Sequence, residues 1–355
     1  MNIDHQKLST AVKKILMAAG TDSDEADAVT DHLVWANLKG HDSHGVGMLP
    51  NYIRNISVGN CLPNQHAEHV STQGNIVVVD GKTGFGQVVG PEAMDMGIKI
   101  ARNHGIAVVA LKNAHHLGRI GSHAERVVKQ GFISMHYVNV VGHPPQVAPF
   151  GGREKRLSTN PFCCAIPVRG QDPIVLDMAT SAIAAGKVRV ARNAGLPVPD
   201  DCLIDHEGRA TNDPNVVIAN PPGAQIHFGK HKGFGLALIC EVLAGALTGA
   251  WSIQPGNERV GTTVNHMLTF ILDPGYIGNI DRFTEETQAL IEYLKGTPPA
   301  AGSDGILIPG EPERNSTAER LEHGIPIDDT TWEGILKTAE SVQISADEIR
   351  KIISS

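Results

Sequence analysis

Three short runs decide how this chain reads: Asn75–Asp80 (NIVVVD), Ile106–Leu111 (IAVVAL) and Ile133–Val138 (ISMHYV). Each is apolar, rich in β-branched residues and too short for a helix, the composition of strands buried on both faces. Between them lie two helical patterns, Pro91–Asn103 and Arg119–Lys129, each followed by a glycine. A fourth strand-like run, Pro173–Leu176 (PIVL), comes later. Strands alternating with helices predict an α/β sheet domain.

Outward from this centre the pattern becomes helical. Leu8, Val12, Ile15, Leu16 and Ala19 recur at helical spacing up to Gly20; Ala26, Val29, Leu33 and Val34 do the same in a segment that Ser23 can cap and Gly40 ends. His231–Ala250 (HKGFGLALICEVLAGALTGA) is apolar all round and too broken by glycine for a membrane span, so it reads as a core helix or part of a subunit interface. Residues 253–264 are polar and glycine-containing, and a mobile loop is expected there. Helix resumes from about residue 279, interrupted at Thr297–Gly310. The expected division is a helical N-terminal part (1–72), a central α/β cofactor-binding domain (73–270) and a mainly helical C-terminal part (271–355) packing with the N-terminal one.

Composition excludes some functions. Acidic residues outnumber basic ones 38 to 30 and the formal charge is −8, so no basic stripe exists for nucleic acid or an anionic membrane. No stretch approaches the ~20 apolar residues of a membrane span and no leader pattern precedes the first helix. Cys61, Cys163, Cys164, Cys202 and Cys240 form no CxxC pair, which suits a reducing compartment; Cys163 and Cys164 read as core residues. The expectation is a cytoplasmic protein. Seventeen histidines against only 15 aromatics are the oddity to explain.

No G-x-G-x-x-G follows a predicted strand, since Gly81-Lys-Thr-Gly-Phe-Gly-Gln has the wrong order, and no P-loop occurs. A Rossmann half is therefore not expected. HExxH, paired CxxC and EF-hand spacings are missing too, so no metal site is expected. What remains are three polar clusters at element ends. His41-Asp42-Ser43-His44-Gly45 can hold an imidazole beside a hydroxyl and an acid, an arrangement able to exchange protons near neutral pH, although a helix-terminal histidine also serves simply to satisfy carbonyls. Asn113-Ala-His-His-Leu-Gly-Arg-Ile-Gly121 can bring helix-terminal amides and a charge to an anion, or its glycines can serve only a tight turn. Asp177–Lys187 (DMATSAIAAGK) puts an acid at a strand's C-terminal end, where α/β sheets collect ligands, or merely a helix cap at Thr180 or Ser181. Lys232 and Arg189 can meet phosphate or carboxylate.

Taken together, HDSHGVG (His41–Gly47), AHHLGRIGSHAE (Ala114–Glu125), VAPFGG (Val147–Gly152), STNPFCCAIP (Ser158–Pro167), DMATSAIAAGK and HKGFGLALICEVLAGALTGA resemble the type-2 malate/L-lactate dehydrogenase family, which includes sulfolactate, ureidoglycolate and diketogulonate dehydrogenases and reductases of cyclic imino acids. The resemblance implies a non-Rossmann α/β fold with a central mixed sheet flanked by helices, and a homodimer with its site near the subunit interface. It implies NAD or NADP as cofactor and a small 2-oxo or 2-hydroxy acid as substrate, with reduction of a cyclic imino acid or a silent nucleotide-binding role as alternatives. By the family's pattern Ser43 and His44 form a proton donor with its relay partner, and His116 is the other acid/base candidate. The cofactor positions carried over are His44, Gly118, Arg119, Ile120, Leu176, Asp177, Met178, Ala179, Lys232, Pro309, Gly310 and Glu311. The substrate side is assigned to Met48, Tyr52, Arg54, Asn160 and Arg189. Many relatives have an arginine where this chain has Met48, so carboxylate recognition is expected from Arg54, Arg189 or a backbone nest, and a less polar substrate tail than malate is implied.

Overall fold

All four apolar runs become strands of one seven-stranded sheet in the computed structural model, which describes residues 1–354. In chain order the strands are β1 (Glu68–Gln73), β2 (Ile76–Asp80), β3 (Ile106–His115), β4 (Ile133–Val141), β5 (Phe162–Ile166), β6 (Ile174–Met178) and β7 (Val264–Leu272). Their order across the sheet is β1-β2-β3-β7-β4-β5-β6. β2 and β3 run parallel; every other neighbouring pair in this sheet is antiparallel. A doubly wound dinucleotide fold needs parallel strands throughout its binding half, so this sheet is of another kind, as the missing glycine fingerprint required.

Helices α1 (Gly86–His104) and α2 (Ile120–Val128) cover one face, where Val89, Met94, Ile98, Ala124 and Val127 pack on Val109, Leu111, Val138 and Met267. Side chains alternate along β4, so Asn139 and Val141 face the other way. There they meet helix His231–Cys240 and the wide π turn Glu241–Ala246 that continues it. At the sheet's side, helices His5–Ala18, Ser23–Leu38 and Leu49–Ser57 share an apolar cluster with Asp329–Ser341 and Ala346–Ser354, through Leu8, Leu33, Tyr52, Ile335 and Ile349 among others.

Several local readings change. The cap of Ser23–Leu38 is Asp22, whose carboxylate accepts the Glu25 N–H at 2.8 Å, and not Ser23. Helix α1 begins five residues before Pro91, which sits in its second turn and forfeits one backbone bond there. β3 runs on to His115, so Asn113–His115, read as loop, belong to the strand. The 231–250 segment is not a core helix, because Leu238, Ile239, Val242 and Leu247 are 45–64% exposed. Residues 253–264 are tethered by the Ile253 N–H to Glu241, Asn60 Nδ2 to the Val260 carbonyl and the Gly261 N–H to the Gly142 carbonyl. A small second sheet, with Leu203–Ile204 between Ala210–Thr211 and Ala224–Gln225, was not foreseen. All five cysteines are unpaired. Among the described residues no helix is long and apolar enough to cross a membrane.

Candidate active site

The antiparallel register brings distant segments to one edge of the sheet. Val264 at the start of β7 lies opposite both His115, the last residue of β3, and Val141, the last of β4. Met178, at the end of β6, pairs with Phe162 at the start of β5 on the same edge. Hence His116, Gly142 and Ala179 all leave the sheet on this side.

A fourth segment, residues 41–48, is brought over this edge from the N-terminal helices. Asn37 anchors it: its Oδ1 accepts the Val46 N–H at 2.8 Å and its Nδ2 donates to Asp42 at 2.6 Å. A Cβ on Gly45 would fall 2.2 Å from that Oδ1, so this approach requires glycine. Arg320 grips the Asp42 carboxylate with two bonds of 2.6 and 3.0 Å. The segment places the His44 ring against that of His116, centroids 5.4 Å apart and planes 23° from parallel. Ser43 Oγ lies 3.0 Å from His44 Nδ1. Behind His116, Tyr52 Oη lies 2.7 Å from Nδ1, and Gln87 Nε2 donates to Tyr52 Oη at 2.9 Å and to the His116 carbonyl at 3.2 Å.

Burial lowers the His44 pKa to about 4, against the pull of Asp177 and with a further push from His41 and Arg119. His116 falls well below the ordinary imidazole value, through burial first and then the neighbouring His44 and His115. Both rings are therefore neutral at pH 7. Half-buried and stacked, they form a pair that can hand over and recover a proton at an enclosed carbonyl or imine.

The other two histidines of these clusters are braces. His115 is buried on the sheet side, where Nε2 lies 3.0 Å from Asn55 Nδ2 and 3.3 Å from Thr262 Oγ1. His41 Nε2 meets Glu313 at 3.1 Å, pinning the loop to helix Glu311–His323.

On the expected cofactor side, Gly118 has φ 71° and its Cβ position lies 2.2 Å from His32 Nε2, which accepts the Arg119 N–H at 2.9 Å. Arg119 is buried: its Nη2 donates to Glu125 at 2.9 Å, its Nε lies 3.7 Å from Asp177, and Lys39 also reaches Glu125 at 3.2 Å. Asp177 in turn accepts the Gly121 N–H at 2.7 Å, so this acid braces the α2 start. The Val175 N–H donates to the Pro309 carbonyl at 3.0 Å, which docks Pro309-Gly310-Glu311 on β6. Glu311 accepts the Ile308 N–H at 2.8 Å and meets Lys295 at 2.7 Å. Lys232 is exposed in the first turn of its helix, next to Gly233, whose Cβ position lies 3.0 Å from the Thr180 carbonyl just past β6. A cleft of about 1,310 Å³ opens beside these loops, its wall including His32, Gln87, Ser122, Val175 and Gly310. The histidine pair is not on that wall; Gln87 links the two. The buried Arg119 keeps Nε and Nη1 without a hydrogen-bond partner, and Gly310, at φ 98°, holds its backbone where a Cβ would sit 3.3 Å from the Val175 nitrogen. Close-packed glycines beside a buried cation with two N–H groups still to be hydrogen-bonded suit an extended anionic nucleotide.

The substrate-side assignments scatter. Tyr52 is fully buried behind His116. Asn160, also fully buried, donates to Glu241 at 2.7 Å and to the Ala237 carbonyl at 3.1 Å and accepts the Val140 N–H at 3.2 Å, so it faces the core and not the cleft. Met48 is half-buried against the N-terminal apolar cluster. Arg54 is exposed and bonded to Asn51 at 2.6 Å. Arg189 is exposed on helix Ala185–Ala194, whose Gly186 abuts Ser43. Sequence reasoning missed Gln87 and His32. Gln87 was hidden because the run Gly81–Gln87 looks like a turn; His32 is a lone polar residue in a helical pattern and carries no signal of its own. No group of three or more histidine, cysteine, aspartate or glutamate side chains is arranged to hold a metal ion among the described residues.

Residues 3–336 match the family model for malate/L-lactate dehydrogenase. The chain is 44% identical over 351 residues to hydroxycarboxylate dehydrogenase B of Escherichia coli O157:H7, covering 98% of this chain and 96% of the relative. It superposes with a TM-score of 0.95 and 42% identity on a solved malate/lactate dehydrogenase structure from E. coli, covering all of both chains. With Δ1-piperideine-2-carboxylate reductase from Pseudomonas syringae the TM-score is 0.82 and the identity 27%, covering 96% of this chain and all of that one.

Proposed function

The chain belongs to the malate/L-lactate dehydrogenase family and is an oxidoreductase of 2-hydroxy acids; on that footing we propose that it reversibly reduces a 2-oxo carboxylic acid with NADH or NADPH, His44 exchanging the proton. The observation that carries this reading is the neutral, stacked pair of His44 and His116 at the sheet edge. The nicotinamide would supply the hydride. Gly118, Arg119, Ile120, the Leu176–Ala179 strand end, Lys232 and Pro309–Glu311 are the residues that would hold the dinucleotide. The protein's own part is to fix the carbonyl, exclude water and move one proton. In reduction His44 Nε2 gives its proton to the developing alkoxide while Nδ1 takes one up from Ser43 Oγ, which is refilled from solvent, so the ring ends neutral; oxidation runs the same relay in reverse. Among the described residues no contact ties Arg54 or Arg189 to the pair, so the substrate carboxylate is assigned to a charge or backbone nest at this edge.

The exposed apolar face of Leu238, Ile239, Val242 and Leu247 supports a homodimer as part of the same reading. Unpaired cysteines support a cytoplasmic setting. The likeness to a cyclic imino acid reductase favours a second reading, in which the same acid protonates a ring nitrogen.

His44→Ala should cut turnover by about 10²–10⁴-fold, the usual worth of a general acid, while NAD(P)H still binds. His116→Ala is the paired variant, and a larger loss there would exchange the two roles. Running 2-oxo acids and a pyrroline- or piperideine-2-carboxylate against both cofactors separates the readings. Cofactor binding without oxidation of NADH or NADPH by any of them would refute both.

A further inference from the structure

The contacts behind His116 determine which of its nitrogens carries the proton. Gln87 Nε2 lies 3.2 Å from the His116 carbonyl, an oxygen that can only accept, so the amide must present its NH₂ there. The opposite placement would set two carbonyl oxygens against each other. The same NH₂ then donates to Tyr52 Oη at 2.9 Å, which occupies that oxygen as an acceptor. Tyr52 has 0% exposure and cannot turn its hydroxyl to water. Its O–H therefore donates to the remaining neighbour, His116 Nδ1 at 2.7 Å.

We propose that Tyr52, oriented by Gln87, is a positioning residue that locks His116 as its Nε2–H tautomer, with a hydrogen-bond donor aimed away from the core and towards the substrate. This rests on the oxidoreductase reading above and sharpens it, because it makes His116 a donor to the reacting oxygen or nitrogen from the first step. It also moves Tyr52 from the substrate side to the back of the imidazole.

Two further features fit. Burial pushes the Tyr52 hydroxyl far above its usual pKa, so the phenol keeps the proton it donates. Tyr52 also packs edge-on against Phe85 and His115, centroids 5.6 and 5.3 Å away, which holds the ring in place independently of its hydroxyl. Tyr52→Phe should consequently fold, losing one oxygen and keeping the ring.

Nitrogen-15 NMR of histidine-labelled protein reads the tautomer directly and needs no turnover, so it stands even if the assigned reaction fails. The wild-type protein should show a single neutral His116 protonated at Nε2, and Tyr52→Phe a mixture of the two tautomers. In the reductase assay Tyr52→Phe should lower kcat at least tenfold, bounded by the ~10⁴-fold that general acid catalysis is worth, with KM for the oxo acid within threefold. Gln87→Leu should broaden the tautomer balance less. A single Nε2–H tautomer that survives in Tyr52→Phe, or a raised KM with kcat unchanged, would overturn the proposal; the second result would return Tyr52 to the substrate side.

Discussion

Lowering the pH tests the buried histidines as a group. His115, His136 and His266 are almost wholly excluded from solvent, and burial holds their pKa values at about 4, about 3 and about 4 against an ordinary 6.5. A base whose folded pKa is depressed contributes stability that is complete above its unfolded pKa and drains away as the pH falls, because the unfolded chain takes up protons that the native state refuses. At pH 5.5 three unfolded imidazoles would carry about 2.7 protons and the native ones almost none. Glu25 works in the opposite sense: burial, opposed by the Asn64 N–H, raises its carboxyl from 4.5 to about 7. The native state therefore holds about 0.9 proton there that the unfolded chain lacks. The net of about 1.8 protons gives a slope of roughly 2.5 kcal/mol per pH unit, stability falling with acid. His32, His44, His116 and His123 are displaced in the same direction and steepen it. Urea denaturation in steps from pH 7.5 to 5.5 measures this slope. His136→Gln should remove about 1.2 kcal/mol per unit of it. A flat or rising stability over that range would refute the reasoning.

Two substitutions probe the braces. Asn160→Ala strips a partner from the buried Glu241 carboxylate and should lower the unfolding free energy by about 2–4 kcal/mol with KM unchanged; a raised KM at unaltered stability would place it on the substrate side after all. Arg119→Met leaves Glu125 and Asp177 short of a counter-charge and should destabilise by about 3–5 kcal/mol in urea unfolding. An unchanged midpoint would mean that Lys39 alone neutralises that cluster.

What the sequence reveals here follows what is local. Helix periods, glycine stops and β-branched runs located the helices around residues 5–18, 23–38, 91–103 and 119–129 and four of the seven strands, since backbone preference and burial pattern act over a single turn or pleat. Ser43 and His44 drew attention as an imidazole beside a hydroxyl at an element end, itself a local arrangement, and His116 through its place in a glycine-rich strand-to-helix run and the family resemblance. Asn160 and Tyr52, expected on the substrate side, depend on what is not local. A polar residue in an apolar run looks available for a ligand, and only the tertiary partners, Glu241 for one and His116 with Gln87 for the other, show that its valences are spent. The burial of Arg119 between Glu125 and Asp177 was likewise invisible in the sequence.

The excess of histidine has a structural cause besides the chemical one. A neutral imidazole offers one donor and one acceptor on a flat, partly apolar ring, so it can tie two elements together inside a core without leaving a charge there. His136 does this between Ser134 and Thr269 across β4 and β7, both bonds at 2.9 Å. His266 accepts the Asn113 N–H at 2.9 Å where the β3–β7 register shifts between Asn265 and Met267. His115 links Asn55 and Thr262 at the same end. All three act on β7 or on the loop leading into it, the strand inserted out of sequence between β3 and β4. A one-residue slip of that strand would turn each polar side chain to the wrong face and leave it unpaired. Those bonds therefore define the register that sets Val264 opposite His115 and Val141, and with it the position of His116. In this chain the histidines buried around β7 are what hold the stacked His44–His116 pair in place.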